Sequence, residues 1–182
     1  MNIIHVDPEN IRPAEWKTNH ILTPDLRLLR KSLVDYGWIY PILVRKEGMQ
    51  IIDGFARWLL AVNDKALTVK GKIPVVVIDC DEANAIFMHI RLNRARGSVV
   101  AKHLSAAVIK LQELGYTNEN QVKEMLEMST DEYDILSEPK LVKIKKLANH
   151  EYSRAWVPVE VSDGSVTPAT EMKFERPPNE DS

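Results

Sequence analysis

Apolar and polar positions along the chain fall into two periods, one of strands and one of helices. "IIHV" (Ile3–Val6) reads as a short strand, and "DPENIRPAEW" after it as a proline-punctuated loop. In "TPDLRLLRKSLVDYG", Leu26, Leu29 and Leu33 share one helical face. Thr23 suits the N-cap, Pro24 the first helical position, Asp25 the positive end of the helix dipole and Gly37 the stop. "PILVRKEGMQIID" predicts two strands about a turn at Lys46–Gly48, followed by a helix over Arg57–Asp64. "IPVVVIDC" (Ile73–Cys80) is a continuous β-branched run, the mark of a buried strand. Helices are predicted over Glu82–Asn93 and in "SVVAKHLSAAVIKLQELG", with Gly115 as a stop. From Thr117 three short helices follow, with Thr117, then Ser129 or Thr130, as caps and Pro139 opening the third. The order is mixed up to about residue 94 and helical beyond it. The expected fold class is therefore α/β (α+β), a small mixed sheet with helices followed by an all-α, helix-turn-helix-like region. The expected divisions are 1–97, 98–150 and a flexible tail over 151–182, with Trp156 able to dock.

Composition narrows the class. Hydrophobic residues make up 45% and charged residues 27%, as in ordinary globular domains. No run of about 18 apolar residues exists, so no membrane span is expected. "MNIIHVDPEN" lacks the features of a secretory signal, and the lone cysteine, Cys80, fits a reducing compartment, so a cytoplasmic location is expected. The net charge is −2, with a basic excess over residues 1–100 and an acidic excess over 151–182. A strongly basic nucleic-acid binder is excluded, a local basic stripe is not, and the acidic tail could meet a protein partner.

Two stretches carry candidate chemistry. In "MQIIDGFARWLLA" (Met49–Ala61) an apolar strand runs into Asp53-Gly54 and then into a helix with Arg57 in its first turn. Glycine admits close backbone approach, a helix N-terminus favours an anion, and a guanidinium fork suits phosphate oxygens. Arg57 reads equally as a solvated surface arginine. In "RLNRARG" (Arg91–Gly97) Arg91, Arg94 and Arg96 crowd a helix end. They either complement its dipole or surround an anion, and Asn93 could offer its oxygen to Mg²⁺.

Three blocks in order resemble the boxes of the ParB N-terminal domain, of the ParB/sulfiredoxin fold. They are "LRKSLVDYGWIYPILV", "IIDGFARWLLA", and "NRAR" within "RLNRARG", and the likeness extends over roughly residues 2–137. The resemblance implies a site for CTP with Mg²⁺, or for ATP or ADP as in relatives on the fold, in a protein of bacterial or phage character that can act on DNA and dimerise. Residue by residue, Gly54 and Arg57 match the phosphate-binding box, Asn93 the metal-associated asparagine and Arg96 the arginine of the third box. Arg94 lies within that box, and Gly37 and Pro41 match the first box, near where the base would lie. Phe55 and Ala56 replace a glutamate and an arginine of the second box. Phe55 also stands where sulfiredoxin has its reactive cysteine, which argues against sulfinic-acid reduction. Leu92 replaces the glutamate linked to hydrolysis and cannot orient water, so turnover is in question. Asp53 resembles the Asp-Gly-x-x-Arg pattern of a free-serine kinase, as a candidate catalytic group, or simply forms the Asp-Gly turn.

The helix-turn-helix candidate places Val122, Leu126 and Tyr133 at apolar positions. Its second helix carries Asp131, Glu132 and Asp134, which repel phosphates. Lys140, Lys143, Lys145 and Lys146 could touch DNA backbone without reading bases, or simply face water. The histidines show no metal spacing, and Trp58 reads as a core residue or a wall of a base pocket. The leading expectation is a ParB-like nucleotide-binding switch acting on DNA or a protein partner. The alternatives are a nucleotide-dependent small-molecule kinase or ParB-like nuclease on the same fold, and a degenerate protein-interaction module.

Overall fold

A computed structural model of the chain describes residues 2–16, 23–96, 99–139 and 151–152. It opens with strand β1 (Ile3–Val6) and helix α1 (Thr23–Tyr36), whose Leu26, Leu29 and Leu33 turn inward together as their spacing predicts. Gly37 follows with φ +73°, the left-handed stop expected of it. Strands β2 (Ile42–Arg45) and β3 (Gln50–Asp53) form the predicted antiparallel pair. Their turn contains left-handed Gly48 and Met49. Helix α2 (Phe55–Asn63) leaves β3 after the single residue Gly54, and strand β4 (Ile73–Ile78) follows. The sheet order is β1-β4-β2-β3, with β4 antiparallel to β1 and parallel to β2. The central β4 is buried at Ile73 through Val76, as its unbroken apolar run requires.

Helix α3 (Glu82–Arg96) runs three residues past its predicted end at Asn93. Strand β5 (Val99–Val100) pairs with β6 (Glu151–Tyr152), so helix α4 (Ala101–Glu113) begins later than its apolar run suggested: the β-branched pair before it joins a ladder. Asn118, not Thr117, caps helix α5 (Glu119–Leu126), its side chain accepting from the Gln121 amide. Ser129 caps helix α6 (Thr130–Ser137) in the same way, accepting from Glu132. The tight turn between α5 and α6 starts at left-handed Glu127, and Val122, Leu126 and Tyr133 are buried. The candidate DNA contacts Lys140, Lys143, Lys145 and Lys146, the third short helix and the remainder of the tail lie outside the described residues. No helix among the described residues is long and apolar enough to cross a membrane.

Two apolar layers hold the sheet. One face sets Ile42, Val44, Ile51, Ile73 and Val75 against Ala61 and half-buried Trp58 of α2. The other sets Ile52 against α3, and through α3 against Leu104, Val108 and Leu111 of α4, Val122 of α5 and Leu136 of α6 in one continuous cluster. α3 is thus enclosed on several sides, which is why its sequence shows no single apolar stripe.

The β2–β3 ladder is irregular at one point. Val44 pairs with Ile51 and Leu43 pairs with Asp53, so Ile52 is an extra residue on β3 without a cross-strand partner. Such a bulge shifts the facing of every residue after it, here Asp53.

Candidate anion-binding site at the end of the third strand

The bulge and the turn after it bring three charged side chains together. Gly54 has φ +96° and caps α2 without a side chain, which places Arg57 in the helix's first turn. Asp53, at the end of β3, is only 4% exposed. Arg96, reaching back from the last turn of α3, donates from Nη1 to Asp53 Oδ1 at 2.6 Å. Arg57 donates from Nη2 to Asp53 Oδ2 and to the Pro41 carbonyl, both at 3.4 Å. Two guanidiniums over one carboxylate leave the group net positive. The Arg57 guanidinium also lies 6.0 Å from the ring centroid of exposed Tyr40.

Burial alone would raise the Asp53 pKa, but the hydrogen bond and charge of Arg96, the charge of Arg57 and the Gly54 amide outweigh it and hold the carboxyl below its ordinary value. Burial lowers the Arg57 pKa against the opposing pull of Asp53, while the hydrogen bond to Asp53 raises that of Arg96. Asp53 is therefore an ionised anchor with both oxygens engaged, a poor proton acceptor.

Two features of this turn bear on anion binding. Buried Arg57 Nε finds no hydrogen-bond acceptor among the described residues. A Cβ at Gly54 would meet Arg57 Nη2 at 2.9 Å and Ile42 Cγ1 at 3.2 Å, so the close fit of the arginine over the turn depends on glycine. A divalent cation is less well served. Asp53 is taken up by arginines, and among the described residues no three of His, Cys, Asp and Glu converge.

The other sequence-predicted residues are distributed as follows. Pro41 contributes its carbonyl to Arg57, and Gly37 ends α1. Asn93 is buried with its amide nitrogen on His89: Nδ2 donates to the His89 carbonyl at 2.8 Å. Arg94 lies apart from Asp53. It pairs with Glu132 of α6, Nη1 to Oε1 at 2.9 Å, with both side chains nearly buried. Glu132, expected on a DNA-facing helix surface, thus turns inward toward that arginine. Arg91 donates from Nε to the Met125 carbonyl at 2.7 Å. A groove of about 450 Å³ between the C-terminal turns of α3 and α5, lined by Arg91, Arg94, Glu124 and Glu127, is separate from the Asp53 group. Trp58 donates from Nε1 to the Pro8 carbonyl and stacks at a tilt on Phe55. Sequence reasoning missed Tyr40, although it directly precedes Pro41. It also missed buried His89, whose one visible signal is its helical spacing to Asn93.

No family model matches the chain. The uncharacterized Escherichia coli (strain K12) protein YbdM is 31% identical over 160 residues, covering 85% of this chain and 75% of YbdM. Among solved structures, the C-terminally truncated chromosome-partitioning protein ParB from Caulobacter crescentus, complexed with CTP-gamma-S, aligns over 81% of this chain and 84% of that one at 20% identity and a TM-score of 0.46. The same protein complexed to the centromeric parS site aligns over 73% and 69% at 19% identity and 0.46. A Pnob8-like ParB-N domain aligns over 82% and 66% at 19% identity and 0.47.

Proposed function

The chain belongs to the family of the Escherichia coli protein YbdM, and from that premise we propose that it is a nucleotide-binding switch whose phosphate cradle is Gly54, Arg57 and Arg96. The observation that carries the reading is the convergence of Arg57 from α2 and Arg96 from α3 on buried Asp53, at a glycine turn that opens a helix. Asp53 holds the two guanidiniums apart and oriented before any ligand arrives, which lowers the cost of ordering them on binding. The positive surplus and the α2 N-terminus favour phosphate oxygens. The resemblance of the three sequence blocks to ParB puts CTP first among candidates and ATP or ADP second. Among the described residues no free carboxylate stands at this point, so Mg²⁺ would arrive held by the nucleotide's own phosphates. Phosphate binding at Arg96 would replace or share its contact with Asp53. The free energy of that exchange is what could bias the chain between two arrangements and so alter contact with DNA or a protein partner. The engagement of both Asp53 oxygens places the kinase reading second.

Calorimetric titration of CTP, ATP, ADP and GTP with Mg²⁺ into the full chain, beside Arg57→Ala and Arg96→Ala, tests the reading. One nucleotide should bind, and each substitution should weaken it roughly 10- to 100-fold, as loss of a charged hydrogen bond does. Absence of binding by all four would sink it and leave an interaction module.

A further inference from the structure

Behind the cradle lies a group that the reading above does not use. His89 of α3 is 3% exposed, and its Nδ1 lies 2.6 Å from the carbonyl oxygen of Ile52. A carbonyl oxygen only accepts, so Nδ1 carries the hydrogen and the ring donates. Burial lowers the His89 pKa and favours the neutral imidazole. Asn93 Nδ2 donates to the backbone carbonyl of His89 at 2.8 Å and lies 3.1 Å from the ring's Nδ1, and the Trp16 ring meets the imidazole edge-on at 5.2 Å between centroids. The imidazole is thus held by its bond to Ile52 and by the packing of Trp16.

Its acceptor is not an ordinary ladder carbonyl. Ile52 is the extra residue of the β2–β3 bulge, without a cross-strand partner. At this bulged residue, buried against α3, His89 supplies a hydrogen bond to the peptide carbonyl. The next residue is Asp53, and the one after it Gly54. A small void of about 10 Å³, bounded by Ala14, Ile51 through Phe55 and His89, lies alongside.

We propose that His89 is a positioning residue for the anion site: by pinning the bulged Ile52 carbonyl it fixes the direction in which Asp53 presents its carboxylate to Arg57 and Arg96. The inference rests on the phosphate-cradle reading for its ligand, but not for its geometry. His89 touches no ligand and acts through the backbone of Ile52 and Asp53.

Two variants separate this role from a merely structural one. His89→Phe keeps an aromatic ring beside Trp16 and removes the donor. His89→Asn gives up the ring and keeps an N–H at the position of Nδ1. Affinity for inorganic tripolyphosphate and for Mg²⁺-CTP is measured by calorimetry on the full chain, with amide hydrogen exchange at Asp53 and Gly54 followed against the amides of β4. His89→Phe should bind both probes about 3- to 10-fold more weakly, the worth of one lost hydrogen bond. It should also exchange faster at Asp53 and Gly54, and His89→Asn should restore both readouts. Wild-type affinity and exchange in folded His89→Phe would overturn the proposal. Should His89→Phe fail to fold, His89→Asn decides: retained affinity supports the pin, and lost affinity in a folded chain overturns it. If the wild-type chain binds neither probe, the nucleotide reading fails by itself, and the exchange measurement alone then judges the pin.

Discussion

Asp53 is nearly buried and yet held as an anion, because Arg96 and Arg57 compensate what burial costs. Its depressed folded pKa fixes a sign. The stabilisation is fully present above the unfolded carboxyl value near 4 and is lost as pH falls through the lower folded value. Thermal unfolding of wild type and Asp53→Asn should therefore differ most at neutral pH and converge as the buffer is taken toward pH 2; a gap that stays constant with pH would contradict this. Gly54 makes a second prediction at the same scale. Alanine there must adopt φ near +96° with its Cβ 2.9 Å from Arg57 Nη2. Gly54→Ala should cost about 1–3 kcal/mol of stability and displace Arg57, abolishing phosphate binding by calorimetry in a chain whose circular dichroism still shows it folded.

Helix α3 is where the elements meet. Arg91 reaches the end of α5, Arg94 reaches α6, Arg96 reaches Asp53, and His89 reaches the bulge in β3. Its arginines look alike in sequence as "RLNRARG", but helical geometry sends successive ones to different sides, so a cluster in sequence is not one in space. The Arg94–Glu132 pair is nearly buried on both sides. Removing one partner strands the other, so Glu132→Gln should lower stability by about 3–5 kcal/mol. The double variant Arg94→Met, Glu132→Leu should recover most of it, because two apolar groups of similar size leave nothing stranded. Urea titration of the three chains checks both statements, and a double variant as weak as the single one would refute the stranded-charge account.

At the scale of the whole molecule, Ile52 of the sheet, α3 and the helices α4 to α6 share one buried cluster. A shared core unfolds as a unit, so urea denaturation followed by tryptophan fluorescence and by circular dichroism should give coincident single transitions. Two separated transitions would instead favour independent units divided near residue 97. The sequence by itself settled what depends on neighbours along the chain. The period of the apolar residues named most strands and helices, Gly37 and Gly115 marked stops, and "IIDGFAR" placed a glycine turn ahead of a helix with Arg57 in its first turn. It could also propose Gly54, Arg57 and Arg96 together, through likeness to a known set of boxes. Tertiary structure decided which charges meet. Asp53 faces two arginines only because one residue of β3 is extra, and a bulge arises from the register of two strands, which neither strand's sequence specifies alone. Arg94 left the cluster because a glutamate 38 residues away came to lie against it, and His89 became part of the site's support because the packing of α3 on β3 brought it to the carbonyl of the bulged Ile52. Local propensity acts over a few residues, whereas burial in a low-dielectric interior makes each polar group find its partner wherever the fold puts one.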